Sequence, residues 1–183
     1  MVPLNLNGHI FYVSSRPGYY DGFAAAPHDC KDFVKEMKAR EIRFVVVLMP
    51  ESEMEQFYGM NLCDYYEKNG IKSYHYAIED HCVPTDLKSF HEMIETIWKH
   101  LETENALVHC FAGIGRTGMV AAAVLIYGEG EDASSATSVV RRVRPRAVET
   151  EEQESFLEKY SSFVLSAKAA AFEGNLTRKK SSP

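Results

Sequence analysis

No apolar run in this sequence is long enough to cross a bilayer. The longest, Phe44–Met49 and Met119–Tyr127, fall well short of the ~20 residues a spanning helix needs. Positive charge is not in excess either: a formal net charge of -6 leaves no broad basic surface for a nucleic-acid backbone. Cysteine is sparse, with Cys30, Cys63, Cys82 and Cys110 scattered and no C-x-x-C pair or metal-ligand spacing. That pattern argues against a disulfide framework and against a zinc site. No metal and no cofactor is expected. The opening residues Met1-Val2-Pro3-Leu4-Asn5 lack the basic region and apolar stretch of a signal peptide. Reduced thiols in the cytoplasm are the expectation, with nuclear entry left open. There is no internal repeat and no linker rich enough to divide the 183 residues, so they read as one domain. What is present, 45% hydrophobic and 25% charged residues, is the balance of an ordinary soluble protein. A negative body that binds an anion must gather its positive charge locally, so the positions of its arginines matter.

Hydrophobic periodicity orders the chain. Residues 8–14 read as a short strand, and Arg16-Pro17-Gly18 as a turn. A helical pattern runs from about His28 to Arg40, with Phe33, Val34 and Met37 on one face. Ile42–Met49 is almost wholly apolar and rich in β-branched residues, which suits a strand buried on both faces of a parallel sheet. Residues 51–69 are helical in pieces, interrupted at Gly59, and Ile71–Ile78 alternates as a strand. After the loop 79–84 comes the clearest helix, with Leu87, Phe90, Met93, Ile94, Ile97, Trp98 and Leu101 spaced at three and four. Thr85 or Asp86 stands where it needs an N-cap. A short strand at 106–109 leads into a Gly-containing loop and an apolar helix over 116–127. Helices over 132–143 and 151–172 follow, and 174–183 reads as a disordered polar tail. Strands alternating with helices predict an α/β fold: a single domain over 1–173 with a mostly parallel central sheet flanked by helices.

The segment from His109 to Gly118 carries the chemistry. A helix leaves the loop with its first amides unpaired and its dipole positive, which suits an anion. Gly113 and Gly115 let the backbone bend so that further amides converge as a nest. Cys110 lies at its mouth, and a thiol beside Arg116 at a helix start is placed to act as a thiolate. Arg116 can offer two parallel N–H donors to phosphoryl oxygens, which lysine cannot copy. Cys-x5-Arg alone is a weak signal. The added His, Gly and Thr, with a strand before and a helix after, make it strong. Gly113-x-Gly115-x-x-Gly118 is also a formal dinucleotide fingerprint. It lacks the second strand ending in an acidic residue that a Rossmann unit requires, since Gly128-Glu129-Gly130-Glu131-Asp132 follows the helix instead.

This segment resembles the signature loop of the protein tyrosine phosphatase superfamily. The short chain resembles its dual-specificity branch, and the spacing of flanking motifs is most similar to the cyclin-dependent-kinase-associated phosphatase type. The resemblance covers about residues 8–165 and implies attack by Cys110, a phosphocysteine, and its hydrolysis by water. It implies phosphate binding by the loop residues Phe111, Ala112, Gly113, Ile114, Gly115 and Arg116. It makes Asp80, in Asp80-His81-Cys82-Val83-Pro84, the proton donor to the leaving group, with Asp86 as its rival. It gives Thr117 a hydrogen bond to the Cys110 sulfur and His109 a role in orienting the loop. Gln153 falls where the superfamily positions the hydrolytic water, although Thr150-Glu151-Glu152-Gln153 also spells a capping box for the last helix. Arg144-Pro145-Arg146 can add positive potential at the rim, with Arg146 as the substrate-facing candidate, and Cys82 invites a redox role toward Cys110. Phe111, Ala112 and Ile114 are not basic, which favours a phosphoprotein over a phosphoinositide. A small phosphomonoester phosphatase and a phosphopeptide-binding pseudoenzyme are the alternatives. A kinase complex is the partner the resemblance suggests.

Overall fold

The structure, a computed structural model, describes residues 1–6, 8–19 and 27–180. A five-stranded sheet runs through its centre in the order β1-β2-β5-β3-β4. Its strands are β1 (Val2–Leu6), β2 (His9–Ser14), β3 (Ile42–Val47), β4 (Lys72–His75) and β5 (Asn105–His109). β2, β5, β3 and β4 are mutually parallel, and β1 alone is antiparallel, closing on β2 from Val2↔Val13 to Leu6↔His9. β1 has no counterpart in the sequence-based expectation. Pro3 and Asn5 disguise it, and proline is tolerated there because β1 is an edge strand.

The pleat divides the core in two. Phe11, Val13, Phe44, Val46, Ala106 and Val108 pack on one face. The helices α4 (Leu87–Leu101), α5 (Gly115–Gly128), α6 (Ala133–Val143) and α7 (Glu151–Lys180) cover that face. Tyr12, Ile42, Val45, Val47 and Leu107 face the other way, onto α1 (Pro27–Ala39), α2 (Glu51–Tyr58) and α3 (Leu62–Lys68). Apart from the exposed Arg43, β3 and β5 are therefore largely buried on both sides, as the apolar runs 44–47 and 106–108 predict. The amphipathic α4 places Phe90, Met93, Ile94, Ile97 and Leu101 in the core, and Asp86 caps it by accepting from Lys88 N and Ser89 N. Residues 115–126 of α5 are all buried, which makes this helix the spine of the domain. The backbone of α7 continues through 174–180, where the sequence pattern predicts a tail; 181–183 lie outside the described residues. Among the described residues no helix is long and apolar enough to cross a membrane.

Candidate active site

The parallel strands β3, β4 and β5 end at one edge, and the loop 110–114 leaves β5 there to start α5. Where that loop's carbonyls go settles where its amides point. Phe111 O accepts from Arg16 N (3.0 Å), and Arg144 donates to Ala112 O (2.7 Å) and Gly113 O (2.9 Å). Three successive carbonyls are thus held outward, and in a trans peptide the following N–H points the opposite way. The amides of Ala112, Gly113 and Ile114 consequently turn toward the concave side. Gly113 N donates to Cys110 Sγ at 3.3 Å, which fixes the sulfur as the centre of the cup. Gly113 is left-handed (φ 70), and a Cβ there would lie 2.4 Å from the Ser14 backbone, so only glycine fits. Gly118 is similarly required, because a Cβ on it would meet Val148 N at 2.7 Å.

His109 is fully buried behind the cup. Its Nε2 meets Tyr66 Oη at 3.0 Å and its Nδ1 the Cys110 carbonyl at 3.4 Å. Tyr66 donates and the carbonyl accepts, so the pattern assigns the single proton to Nδ1. Burial, aided by the Arg116 charge and opposed by the Cys110 carbonyl, pushes the imidazole down to about 4. A neutral ring at physiological pH ties β5 to α3 and orients the loop. It is no base for the thiol.

Arg116 is buried, and its guanidinium is heavily engaged. Nη1 donates to Glu53 Oε1 (2.9 Å) and Ile78 O (2.8 Å). Nη2 donates to Glu53 Oε2 (3.3 Å) and lies 3.0 Å from Asp80 Oδ1. Burial alone would lower the pKa of this group, but the Cys110, Glu53 and Asp80 charges outweigh it and raise it. Nε is buried and has no partner among the described residues. Thr117 Oγ1 is in the same position, so the expected bond to the Cys110 sulfur is not made in this state.

Asp80 is brought to the cup through Arg116, and its side chain remains more than half exposed. Asp86 is not: its carboxylate is spent on the α4 cap, whose amides hold it below the usual carboxylate range. The N-cap role accounts for it. Gln153 is buried, with Oε1 accepting from Glu149 N (2.9 Å) and Nε2 donating to Cys82 O (3.4 Å). Half the capping box forms, since Thr150 Oγ1 accepts from Gln153 N at 3.2 Å. The other half is diverted, because the amide side chain packs on Gly115 instead. Arg146 is exposed and lies 3.5 Å from Glu149 Oε1. The exposed Cys82 and the buried Cys30 and Cys63 are all free thiols.

Sequence reasoning does not reach Glu53 or Glu149, and it places Arg144 on the rim without the carbonyl-holding role it has here. Arg146 and Val148 both occupy the left-handed region (φ 68 and 60), a strain of about 1–3 kcal/mol each. Arg141 holds them there by donating to Ala147 O and Val148 O at 2.9 Å. The segment is thereby fixed with Glu149 against Gly115. On the other flank Arg16 is buried under Phe111 and Phe57, its guanidinium carbon 4.5 and 4.6 Å from their ring centroids.

An anion cup at the carboxyl edge of a mostly parallel sheet, with a cysteine at its centre, places this chain among the protein tyrosine phosphatase folds of the dual-specificity kind. Solved relatives bear that out. Tk-PTP in its active form is 30% identical with a TM-score of 0.67, covering 84% of this chain and 90% of its own. A kinase associated phosphatase (KAP) carrying serine for its catalytic-site cysteine superposes with a TM-score of 0.75 at 24% identity, covering 85% of this chain and 88% of its own. Residues 18–138 match the family Cyclin-dependent kinase inhibitor 3 (CDKN3), and the chain belongs to that family. The Rattus norvegicus cyclin-dependent kinase inhibitor 3 is 31% identical over 129 residues, 69% of this chain and 60% of the relative. This chain therefore spans at most about three fifths of the first curated relatives it matches.

Proposed function

We propose that the chain is a cysteine-dependent phosphatase hydrolysing phosphotyrosine, and phosphoserine or phosphothreonine, in proteins through a phosphocysteine on Cys110. The observation that carries this reading is the Cys110 sulfur held by Gly113 N–H at the start of α5, with Arg116 bringing Asp80 to the same cup. An arriving phosphoryl group meets the inward amides of 112–114 and the unused Arg116 Nε–H, and takes the Nη2 donor from Asp80. The displaced carboxyl, once protonated, is then positioned to give its proton to the leaving oxygen. The sulfur attacks phosphorus, the P–O bond breaks, and water later cleaves the P–S bond. Thr117 Oγ1, buried and unpartnered, is a donor available to the departing sulfur. Nothing basic lines the loop at Phe111, Ala112 or Ile114, which favours singly phosphorylated side chains. Family membership and the names of the relatives suggest a cyclin-dependent kinase complex as the phosphoprotein partner. A reducing cytoplasm suits the free thiols.

A panel of phosphotyrosine and phosphothreonine peptides and phosphoinositides tests the substrate class. Peptide turnover is expected to exceed phosphoinositide turnover, and the reverse would overturn the assignment. Asp80→Ala should slow peptides, whose leaving groups are poor, by roughly 100-fold. p-Nitrophenyl phosphate, with its good leaving group, should lose much less. Equal losses for both would remove Asp80 from the acid role.

A further inference from the structure

The geometry points to Arg144 as a positioning residue for the second step. Through the Ala112–Gly113 peptide it holds and polarises the N–H that grips the Cys110 sulfur, and so eases the sulfur's departure when the phosphocysteine is hydrolysed. This rests on the phosphatase reading above and adds to it a residue acting from outside the cup. The connection runs through a single peptide unit. At its outer end Arg144 Nη2 donates to Ala112 O at 2.7 Å. At its inner end Gly113 N donates to Cys110 Sγ at 3.3 Å. The two groups of a trans peptide point opposite ways, so guanidinium and sulfur lie at the two poles of one dipole. A cation bonded to the carbonyl strengthens the N–H as a donor, because linked hydrogen bonds polarise one another. The same fork reaches the next peptide, where Arg144 Nε donates to Gly113 O at 2.9 Å. That second bond fixes the turn and keeps the Ile114 N–H inward.

Arg144 is fitted to this task by where it stands. It follows the last turn of α6, its N–H bonded to Val140 O (2.8 Å) and its carbonyl accepting from Ala147 N (3.1 Å). The backbone beneath the side chain is thus tied on both sides. The residue is half-buried, whereas Arg141, Arg142 and Arg146 around it are exposed. No carboxylate among the described residues pairs with it, and both ends of its fork go to carbonyls as charge-assisted bonds. The sulfur has no rival donor in this state. Thr117 Oγ1 is buried without a partner, so among the described residues the Gly113 N–H is what the sulfur accepts.

The effect falls on one step. In the first, the sulfur gives an electron pair to phosphorus, and a stronger donor on the sulfur brings no gain. In the second, the water oxygen bonds to phosphorus, the P–S bond breaks, and its electron pair returns to the sulfur. The water proton passes to the Asp80 carboxylate left by the first step, and inorganic phosphate is released. A donor that tightens as charge returns to the sulfur lowers the second barrier and not the first.

Rapid-quench kinetics with saturating p-nitrophenyl phosphate test this, with phosphoenzyme counted directly in wild type, Arg144→Met and Arg144→Lys. Methionine keeps the stem and removes every donor. Lysine keeps the charge but cannot hold both carbonyls in one fork. Both variants are expected to release about one nitrophenol per enzyme at close to the wild-type rate. Phosphoenzyme decay is then expected to slow roughly tenfold in Arg144→Met. In Arg144→Lys it should slow about threefold, a partial rescue. Decay at the wild-type rate in a folded Arg144→Met overturns the role of Arg144 and leaves the phosphatase reading standing. Burst and decay falling together also overturn it, because Arg144 would then only brace the loop. If Arg144→Met does not fold, Arg144→Lys decides: slowed decay behind an intact burst supports the inference, and unchanged decay overturns it. If the wild type itself forms neither phosphoenzyme nor phosphate, the phosphatase reading fails, and this inference with it.

Discussion

Replacing Cys110 by serine is expected to reduce turnover by roughly 10⁴-fold or more while leaving phosphopeptide affinity equal to or tighter than wild type. The two halves of that expectation have separate causes. A serine hydroxyl beside the same Gly113 N–H is a far weaker nucleophile than a cysteine sulfur, so attack on phosphorus fails. The cup that binds the phosphoryl group does not depend on the sulfur. Its carbonyls are pinned from outside by Arg16 N and Arg144, and Gly113 keeps its left-handed turn against Ser14. Steady-state turnover and fluorescence-polarisation titration of a phosphotyrosine peptide measure the two quantities independently. Turnover within tenfold of wild type would end the covalent mechanism. Lost binding in a variant of unchanged thermal stability would mean that the sulfur holds the cup together.

How much of this was legible in the sequence depends on distance along the chain. The strand at 105–109, the loop after it and the start of α5 are contiguous, and their residue types report local needs: apolar for a doubly buried strand, glycine for a left-handed turn, an open helix start for an anion. Asp80 was legible through its motif, and Asp86 as a cap because capping is local. Glu53 was not, because its bond to Arg116 joins positions 63 apart and nothing in ESEMEQFY marks it. Arg144 was seen only as part of a charged rim. Its task, holding two carbonyls 31 and 32 residues away, follows from how α6 ends beside the loop. For Gln153 the competition was visible and its outcome was not. Thr150-x-x-Gln153 spells a capping box, but burial against Gly115 redirected the amide to Glu149 N. Strand β1 was missed because a five-residue edge strand carrying Pro3 has almost no periodicity to read.

Arg116→Lys is expected to lower kcat by about 10³-fold and to raise KM, although the charge is conserved. The reason lies in how the guanidinium is divided. One side of the fork is committed to the protein: Nη1 to Glu53 and Ile78 O, and one Nη2 donor to Glu53. The other side, a buried Nε without a hydrogen-bond partner and the remaining Nη2 donor beside Asp80, is the parallel pair that a phosphoryl group can grip. A single ammonium cannot satisfy Glu53 behind and two phosphoryl oxygens in front with the same geometry. It also leaves a mostly buried Glu53 carboxylate and the Ile78 carbonyl poorly served, at a cost of about 1–3 kcal/mol. For a domain of this size that is about 2–4 °C of Tm per kcal/mol, so the variant remains folded at 25 °C and its kinetics are interpretable. Glu53→Gln separates the causes. It keeps the hydrogen-bond acceptor and removes the charge, and should cost far less activity than Arg116→Lys if Glu53 serves to aim the fork. A lysine variant within tenfold of wild type at saturating substrate would show that positive charge alone suffices, and that the two-pronged grip on phosphate is not what Arg116 supplies.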